Sequence, residues 1–160
     1  MIIQRITEER VLKALLKLAW VREDHDLKIK TGLSFEHASV SEIEAIFESG
    51  IEQSISFVAR DSENDEIQGF LLGEHYDRDT IYLGRLLVSP QRRKERIGEG
   101  LVNAFIHSDE ARYRHCVVET ASTNNPAIRI FQLFGFVADI DESSNDWLIM
   151  KRPPQEDLML

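Results

Sequence analysis

The sequence predicts a mixed α+β domain in which helices flank a central, twisted and mostly antiparallel sheet. Stretches with apolar residues at helical spacing lie on both sides of a block, residues 55–88, that contains three extended runs joined by short polar turns. Runs connected so tightly pair antiparallel. No internal repeat or linker is visible, so we expect one domain over residues 1–152 and a flexible tail at residues 153–160.

The N-terminal part should contain one strand and a first helix. Residues 2–6 have the pattern of a short strand, and Thr7 suits the N-cap of a helix whose apolar residues recur at helical spacing over 11–19. Residues 21–39 are polar and irregular, and we expect a loop or a broken helix there.

A second helix precedes the extended block. Ser41 followed three positions later by Glu44 is a capping-box signature, which predicts a helix through about Ser49. The block that follows should form an antiparallel meander with strands at residues 55–59, 67–75 and 81–88. Gly84, inside the third strand, indicates a bulge or a close approach of a ligand to the backbone.

The C-terminal half should alternate helices and strands. Pro90 ends the third strand, and a basic turn leads into a helix over 98–110 that points Leu101 and Phe105 inward together with Val102 and Ile106. We expect the remaining elements to be a strand at 116–119, a helix at 126–134 that Gly135 stops, and strands at 136–140 and 147–150.

Composition and charge exclude several classes of function. The net charge of −9 argues against nucleic-acid binding, and no apolar run is long enough to span a membrane. The start of the chain lacks the features of a signal peptide, so a cytoplasmic protein is expected. Cys116 is the only cysteine and the histidines lack metal-ligand spacing, so we expect no metal site.

The charge is distributed unevenly between the two halves of the chain. Residues 1–80 contain 17 acidic and 9 basic side chains, and residues 81–160 contain 11 and 10. Ordinary solubility accounts for this asymmetry, but so does an acidic half that receives a cationic substrate beside a half that receives an anionic one.

The stretch from Val88 to Leu101 has the pattern of an anion site. A strand leads through a turn into a helix, and the first backbone N–H groups of a helix favour negative charge. The turn also carries four cationic side chains, Arg92, Arg93, Lys94 and Arg96. A basic surface turn would have the same composition, and the stretch matches neither a Walker A loop nor a Rossmann fingerprint.

This stretch resembles the acyl-CoA signature of the GNAT superfamily of N-acetyltransferases, in which Val-x-Pro precedes a glycine-rich turn and a helix. The matching positions are Val88, Pro90, Arg93, Ile97, Gly98 and Leu101. Lys94 and Arg96 replace two glycines of the pattern. Backbone donors survive such changes where the torsions are not positive, so the resemblance still implies that the turn binds the pyrophosphate of coenzyme A.

A second stretch, residues 124–136, resembles the family pattern Asn-x-x-Ala-x-x-Leu-Tyr-x-x-x-Gly-Phe. The tyrosine of that pattern often protonates the departing thiolate, but Phe131 stands at its position here. The thiolate can leave without an acid near neutral pH, because a thiol has a reference pKa of about 8.5. Tyr82, Tyr76, Tyr113, Ser122 and Cys116 are open alternatives as proton donors.

The resemblance also assigns site residues. It implies cofactor contacts for Leu87, Val88, Arg93, Lys94, Glu95, Arg96, Ile97, Gly98, Glu99, Asn124, Ala127 and Phe131, with a backbone N–H near Leu87 or Val88 on the thioester carbonyl. Glu119 corresponds to a catalytic glutamate of ribosomal-protein alanine N-acetyltransferases and is the candidate general base, unless it pairs with Arg85 or Arg129. Tyr82 corresponds to another catalytic position of the family, although packing explains a strand tyrosine equally well.

The implied activity is transfer of an acetyl group from acetyl-CoA to a primary amine by direct attack. The acceptor would be a small-molecule amine, a lysine or a peptide N-terminus, and the family's habits make a homodimer one option. Two other classes remain: an acyl-CoA-binding sensor or interaction module that has lost turnover, and a plain antiparallel domain without a cofactor.

Overall fold

The structure, a computed structural model, describes residues 1–22, 39–92 and 95–155, and within them seven strands form one sheet. The strands are β1 (Ile2–Arg5), β2 (Phe57–Arg60), β3 (Ile67–His75), β4 (Thr80–Val88), β5 (His115–Ala121), β6 (Val137–Ala138) and β7 (Trp147–Arg152). The helices are α1 (Glu9–Leu16), α2 (Ser39–Ser49), α3 (Ile97–Ile106) and α4 (Asn125–Leu133). Short 3-10 turns lie at Ile51–Gln53 and Pro90–Arg92.

The sheet is mostly antiparallel, as predicted. Its strand order is β1-β2-β3-β4-β5-β7-β6, and β4 with β5 is the parallel pair. The polar clusters at 61–66 and 77–79 form the turns of the expected β2–β3–β4 meander. The expectation of a mixed α+β fold with a central antiparallel sheet is therefore confirmed.

Helices cover both faces of the sheet and divide the core into two clusters. On one face α3 and α4 contribute Phe105 and Phe131, both essentially inaccessible to solvent. On the other face Leu12 of α1 and Ile43 of α2 pack with Phe70 of β3. Because side chains alternate between faces along a strand, neighbouring residues of the central strands belong to different clusters.

Both predicted helix caps are wrong. The N-cap of α1 is Glu8 rather than Thr7, and its side chain makes no capping hydrogen bond. Helix α2 includes Ser39, so Ser41 lies within the helix instead of preceding it. Local capping signals identify the helices correctly, but they do not fix the residue at which the incoming chain turns into the helix.

The remaining boundaries differ by a few residues. Helix α3 ends at Ile106, short of the predicted end near residue 110, and β6 is two residues long where five were expected. Most of the predicted loop at residues 21–39 lies outside the described residues. None of the described helices is long and apolar enough to cross a membrane.

Gly84 is a bulge residue in β4. Leu72 of β3 pairs with Arg85, while the next residue, Gly73, pairs with Leu83, so Gly84 has no counterpart on β3. The bulge is one of the two alternatives that the sequence leaves open at Gly84, and the register of β3 and β4 shows it. Since directly opposed residues point to the same face, Arg85 shares the face of Leu72, which packs against α1 and α2.

Candidate active site

The sheet splits between its two parallel strands. Strands β4 and β5 pair from Thr80 with His115 to Leu83 with Val118. Beyond that point β4 stays paired with β3 and β5 stays paired with β7. The two strands therefore separate where the bulge begins, and a gap opens within the sheet beside Leu87 and Val88.

A cavity of about 410 Å³ lies beside this gap. The end of β4, the beginning of α3 and the first turns of α4 form its walls. Its lining residues are Arg85, Leu86, Leu87, Val88, Arg96, Gly98, Glu99, Asn124, Pro126, Ala127 and Ile130. Seven of the predicted cofactor residues are thus brought together here: Leu87, Val88, Arg96, Gly98, Glu99, Asn124 and Ala127.

The start of α3 supplies an anion-binding element to the cavity. Its first N–H groups precede the hydrogen-bonded part of the helix, and the positive end of the helix dipole lies at the same place. Gly98 is buried where α3 meets α4, and a Cβ built on it would lie 3.0 Å from Cδ1 of Ile130. Gly98 therefore allows a close approach between the two walls of the cavity.

Arg96 is the N-cap of α3 and has a left-handed backbone conformation, with φ 60° and ψ 25°. Apart from glycine, residues rarely adopt this conformation, because Cβ crowds the following carbonyl. The sequence implies unchanged backbone donors only where the backbone torsions are not positive. Because φ of Arg96 is positive, Arg96 does not meet this condition. The chain keeps the geometry typical of glycine with an arginine in its place.

The other residues of the basic turn have different surroundings. Arg92 forms ion pairs with Glu95, at 3.3 Å, and with Glu66, at 3.9 Å. Arg93 and Lys94 lie outside the described residues. Among the described cations of the turn, Arg96 is the one that lines the cavity.

Three predicted cofactor residues do not line the cavity. Ile97 is buried in the cluster beneath α3, and Glu95 is exposed and pairs with Arg92. Phe131 is 1% exposed and packs edge-on against Phe136, with ring centroids 5.3 Å apart. The side chain at the position of the family's acidic tyrosine thus belongs to the core.

Asn124 is the N-cap of α4. Its side-chain oxygen accepts a hydrogen bond from the amide of Ala127 at 3.4 Å, and Pro126 occupies the first turn. The Asn-x-x-Ala pattern is therefore explained by the capping of α4. The same helix start places Asn124 and Ala127 in the cavity wall.

The amide of Val88 points toward the gap. Ser89 donates its N–H to the carbonyl of Gln68 on the β3 side, at 2.8 Å. Because backbone groups alternate in direction along an antiparallel strand, Leu87 also directs its amide toward β3, whereas Leu86 and Val88 direct theirs away from it. Of the two amides predicted for the thioester carbonyl, that of Val88 faces the gap.

Tyr82 and Glu119 lie on the α1/α2 face of the sheet. Tyr82 pairs with Glu74 of β3, two residues beyond Leu72 on the same face. Burial raises the pKa of the Tyr82 phenol well above its usual value, and the carboxylates of Glu42, Glu119 and Glu74 raise it further. The Tyr82 hydroxyl therefore keeps its proton at neutral and moderately alkaline pH and can act as a donor.

The other proton-donor candidates fit less well. Tyr76, in the β3–β4 turn, and Tyr113, just before β5, are 76% and 49% exposed and lie at the strand ends opposite the gap. Cys116 is fully buried, which raises the pKa of its thiol to about 11. Ser122 donates its hydroxyl proton to the carbonyl of Asn145 at 2.7 Å. Among these candidates, Tyr82 is the one whose pKa is raised by the Glu119 carboxylate.

Sequence reasoning missed four cavity residues: Arg85, Leu86, Pro126 and Ile130. Strand alternation around Leu87 and Val88 could have indicated Leu86, and helical spacing from Ala127 could have indicated Ile130. For Arg85 the sequence suggests only an ion pair with Glu119. Its place in the cavity wall depends on the bulge register, which no local pattern specifies.

Comparison with known proteins agrees with this geometry. A family model described as the acetyltransferase (GNAT) family matches residues 15–136. No curated protein sequence gives a significant match.

Solved structures with the same fold include several acetyltransferases. A GNAT-family acetyltransferase from Staphylococcus aureus covers 94% of this chain and 98% of its own, with 16% identity and a TM-score of 0.71. The ribosomal-protein alanine N-acetyltransferase from Escherichia coli covers 74% and 81%, with 19% identity and a TM-score of 0.59. An Elizabethkingia anophelis GNAT acetyltransferase with acetyl-CoA bound covers 69% and 82%, with 15% identity and a TM-score of 0.55. At these identities the likeness concerns the fold.

Proposed function

Because the chain belongs to the acetyltransferase (GNAT) family, we propose that it transfers an acetyl group from acetyl-CoA to a primary amine by direct attack. The observation that carries the proposal is the cavity at the split between β4 and β5, which combines a helix start with the gap in the sheet. The residues present fit an acyl-CoA: the start of α3 and Arg96 suit the pyrophosphate, and the wall formed by Ala127 and Ile130 suits the pantetheine.

The proton transfers are assigned to the opposite face of the sheet. Glu119 takes a proton from the acceptor ammonium, directly or through water, and the free amine attacks the thioester carbonyl. The N–C bond forms as the C–S bond breaks, the Tyr82 hydroxyl gives its proton to the departing thiolate, and the second proton lost by the attacking nitrogen restores that hydroxyl. The amide of Val88 donates a hydrogen bond to the carbonyl oxygen as negative charge develops on it.

Acceptors in this proposal are small-molecule amines, lysines and peptide N-termini. The name of the Escherichia coli neighbour specifies an alanine of a ribosomal protein, so peptides belong in an acceptor panel. The carboxylates around Tyr82 favour a cationic acceptor, because each of them attracts an ammonium group.

The proposal is tested by measuring CoA release from acetyl-CoA with a panel of primary amines. We expect turnover above background hydrolysis with at least one amine, and we expect Glu119→Gln to reduce kcat by about 10²–10⁴-fold, the usual contribution of a positioned base. Glu63→Gln, which removes an exposed carboxylate from the β2–β3 turn, is the matched control and should leave kcat unchanged. Failure of every amine to increase CoA release would contradict the proposal.

A second candidate is an acyl-CoA-binding sensor without turnover, and the burial of Phe131 at the family's acid position favours it. Thermal shift separates binding from catalysis. CoA at a hundredfold excess over Kd should stabilise the fold by about 2.7 kcal/mol, which raises Tm by roughly 5–10 °C for a chain of this size. Stabilisation without turnover would support the sensor, and no stabilisation would exclude both acyl-CoA functions.

A further inference from the structure

Arg85 occupies the junction between the cofactor cavity and the opposite face of the sheet. It lines the cavity, and its pairing with Leu72 directs its side chain to the α1/α2 face. In a regular strand Arg85 would share the face of Leu83, within the cluster beneath α3 and α4. The bulge at Gly84 therefore brings a guanidinium to the side of the gap on which the candidate base lies.

Carboxylates lie on the same face. Glu42, Glu119 and Glu74 all act electrostatically on Tyr82, and the carboxylate of Glu42 reaches Gly84, where a built Cβ would lie 2.6 Å from its Oε2. Both signs of charge are thus present at this mouth of the gap, with the cation nearest to the cavity.

We propose that the acceptor is zwitterionic, with a carboxylate that binds Arg85 beside the amine that is acetylated, as in a free amino acid. This inference rests on the proposed function and narrows its acceptor class. A guanidinium has five N–H donors in a planar arrangement, so it can hold a substrate carboxylate with two parallel hydrogen bonds while it contacts another partner. A polyamine has no group for Arg85 and would be repelled by it.

The carboxylate also orients the amine. An α-amino acid keeps its two charged groups within a few bonds of each other, so a carboxylate fixed at the cavity wall leaves the amine beside the gap. The acidic side chains on this face attract the ammonium. The site should therefore discriminate strongly between acceptors with and without a carboxylate. An acceptor that lacks the carboxylate forms no hydrogen bonds with the Arg85 guanidinium.

The test compares free amino acids with the corresponding amino acid amides and with aliphatic diamines, with acetyl-CoA as the donor. The amide retains the primary amine and the side chain but lacks the negative charge. We expect kcat/KM for the best amino acid to exceed that for its amide by roughly 10- to 100-fold. An amide has the more acidic ammonium and hence more free amine near neutral pH, so a preference for the acid cannot come from the amine's basicity.

Variants of Arg85 locate the effect. Arg85→Gln should raise KM for the amino acid roughly 10-fold or more and leave KM for acetyl-CoA unchanged, whereas Arg85→Lys should retain part of the preference. Arg10→Gln, which removes a highly exposed arginine on α1, is the matched control and should change neither constant.

Several results would overturn the inference while the proposed function stands. These are equal use of amides or diamines, an undiminished preference in Arg85→Gln, and an equal rise in KM for acetyl-CoA, which would assign Arg85 to the cofactor instead. If no amine is acetylated, the proposed function fails. Titration calorimetry with the CoA-loaded protein then measures whether each amino acid binds more tightly than its amide. Absence of a preference for the acid would overturn the inference there as well.

Discussion

At the scale of single residues, Arg96 shows how the site departs from the family's glycine-rich pattern. Two described residues other than glycine have positive φ, Asp65 in the β2–β3 turn and Arg96 at the start of α3. Left-handed backbone costs a residue with a Cβ about 1–2 kcal/mol. Strained backbone of this kind persists where the surrounding structure holds it in place, and it is common at ligand-binding sites.

Replacing Arg96 separates the backbone from the charge. Arg96→Gly and Arg96→Ala both remove the charge and should weaken CoA binding by roughly 2–5-fold, with a smaller salt dependence than in the native protein. They should differ in stability, because glycine accepts the left-handed conformation and alanine does not. We expect the glycine variant to be more stable by about 0.5–1 kcal/mol, measured by denaturant unfolding. Equal stability of the two variants would contradict the conformation described for Arg96.

Phe131 gives a second prediction at this scale. Phe131→Tyr restores the family's residue, but the hydroxyl enters an apolar cluster, and burying it without a partner costs about 1–3 kcal/mol. We therefore expect a lower Tm and no increase in kcat. Phe134→Tyr, on a half-buried ring at the end of α4, is the control and should change Tm little. A faster enzyme with Phe131→Tyr would show that position 131 reaches the thiolate after all.

At the scale of elements, the bulge in β4 determines which residues meet at the gap. Gly84 and Arg85 lie on the same face where a regular strand would separate them. Gly73, opposite the bulge, is as tightly enclosed as Gly84, but by different groups. A Cβ at Gly73 would lie 2.8 Å from the carbonyl oxygen of Ile55 and from the ring of Phe105, whereas a Cβ at Gly84 meets the mobile end of Glu42.

Alanine substitutions at the two glycines should therefore affect different properties, stability at Gly73 and acceptor binding at Gly84. Gly73→Ala forces the backbone and a buried ring apart and should cost about 1–3 kcal/mol of stability. Gly84→Ala should displace the Glu42 carboxylate at little cost to folding and raise KM for the acceptor, since Glu42 lies on the face proposed for acceptor binding. Tm and steady-state kinetics of the two variants measure this contrast. A large loss of stability in Gly84→Ala would show that the Glu42 side chain cannot move.

Helices and strands were predictable from the sequence where they depend on residues that are close together in the chain. The strands of the meander follow from polar turns at 61–66 and 77–79, and the bulge follows from an isolated glycine in a strand pattern. The predicted caps at Thr7 and Ser41 are wrong because several nearby side chains can begin a helix, and short-range sequence signals do not choose among them. Arg85 was missed because its face depends on cross-strand register, and the burial of Phe131 depends on how α4 packs against α3.

At the scale of the whole molecule, charged side chains are concentrated at the gap between β4 and β5. The start of α3 brings Arg96 to the cavity on one face of the sheet, whereas three glutamates lie around Tyr82 on the other face, to which Arg85 also directs its side chain. The uneven charge of the two chain halves predicts an anionic and a cationic ligand. In the proposed reaction these two ligands would meet at the gap.

The split beyond Leu83 and Val118 also bears on the order of events in the proposed reaction. Two ligands that reach one reaction point from opposite sides need not exchange places, so neither has to leave before the other arrives. Initial velocities measured against acetyl-CoA at several fixed acceptor concentrations should therefore give double-reciprocal lines that intersect. Parallel lines would instead require that CoA depart first and leave its acyl group on the protein.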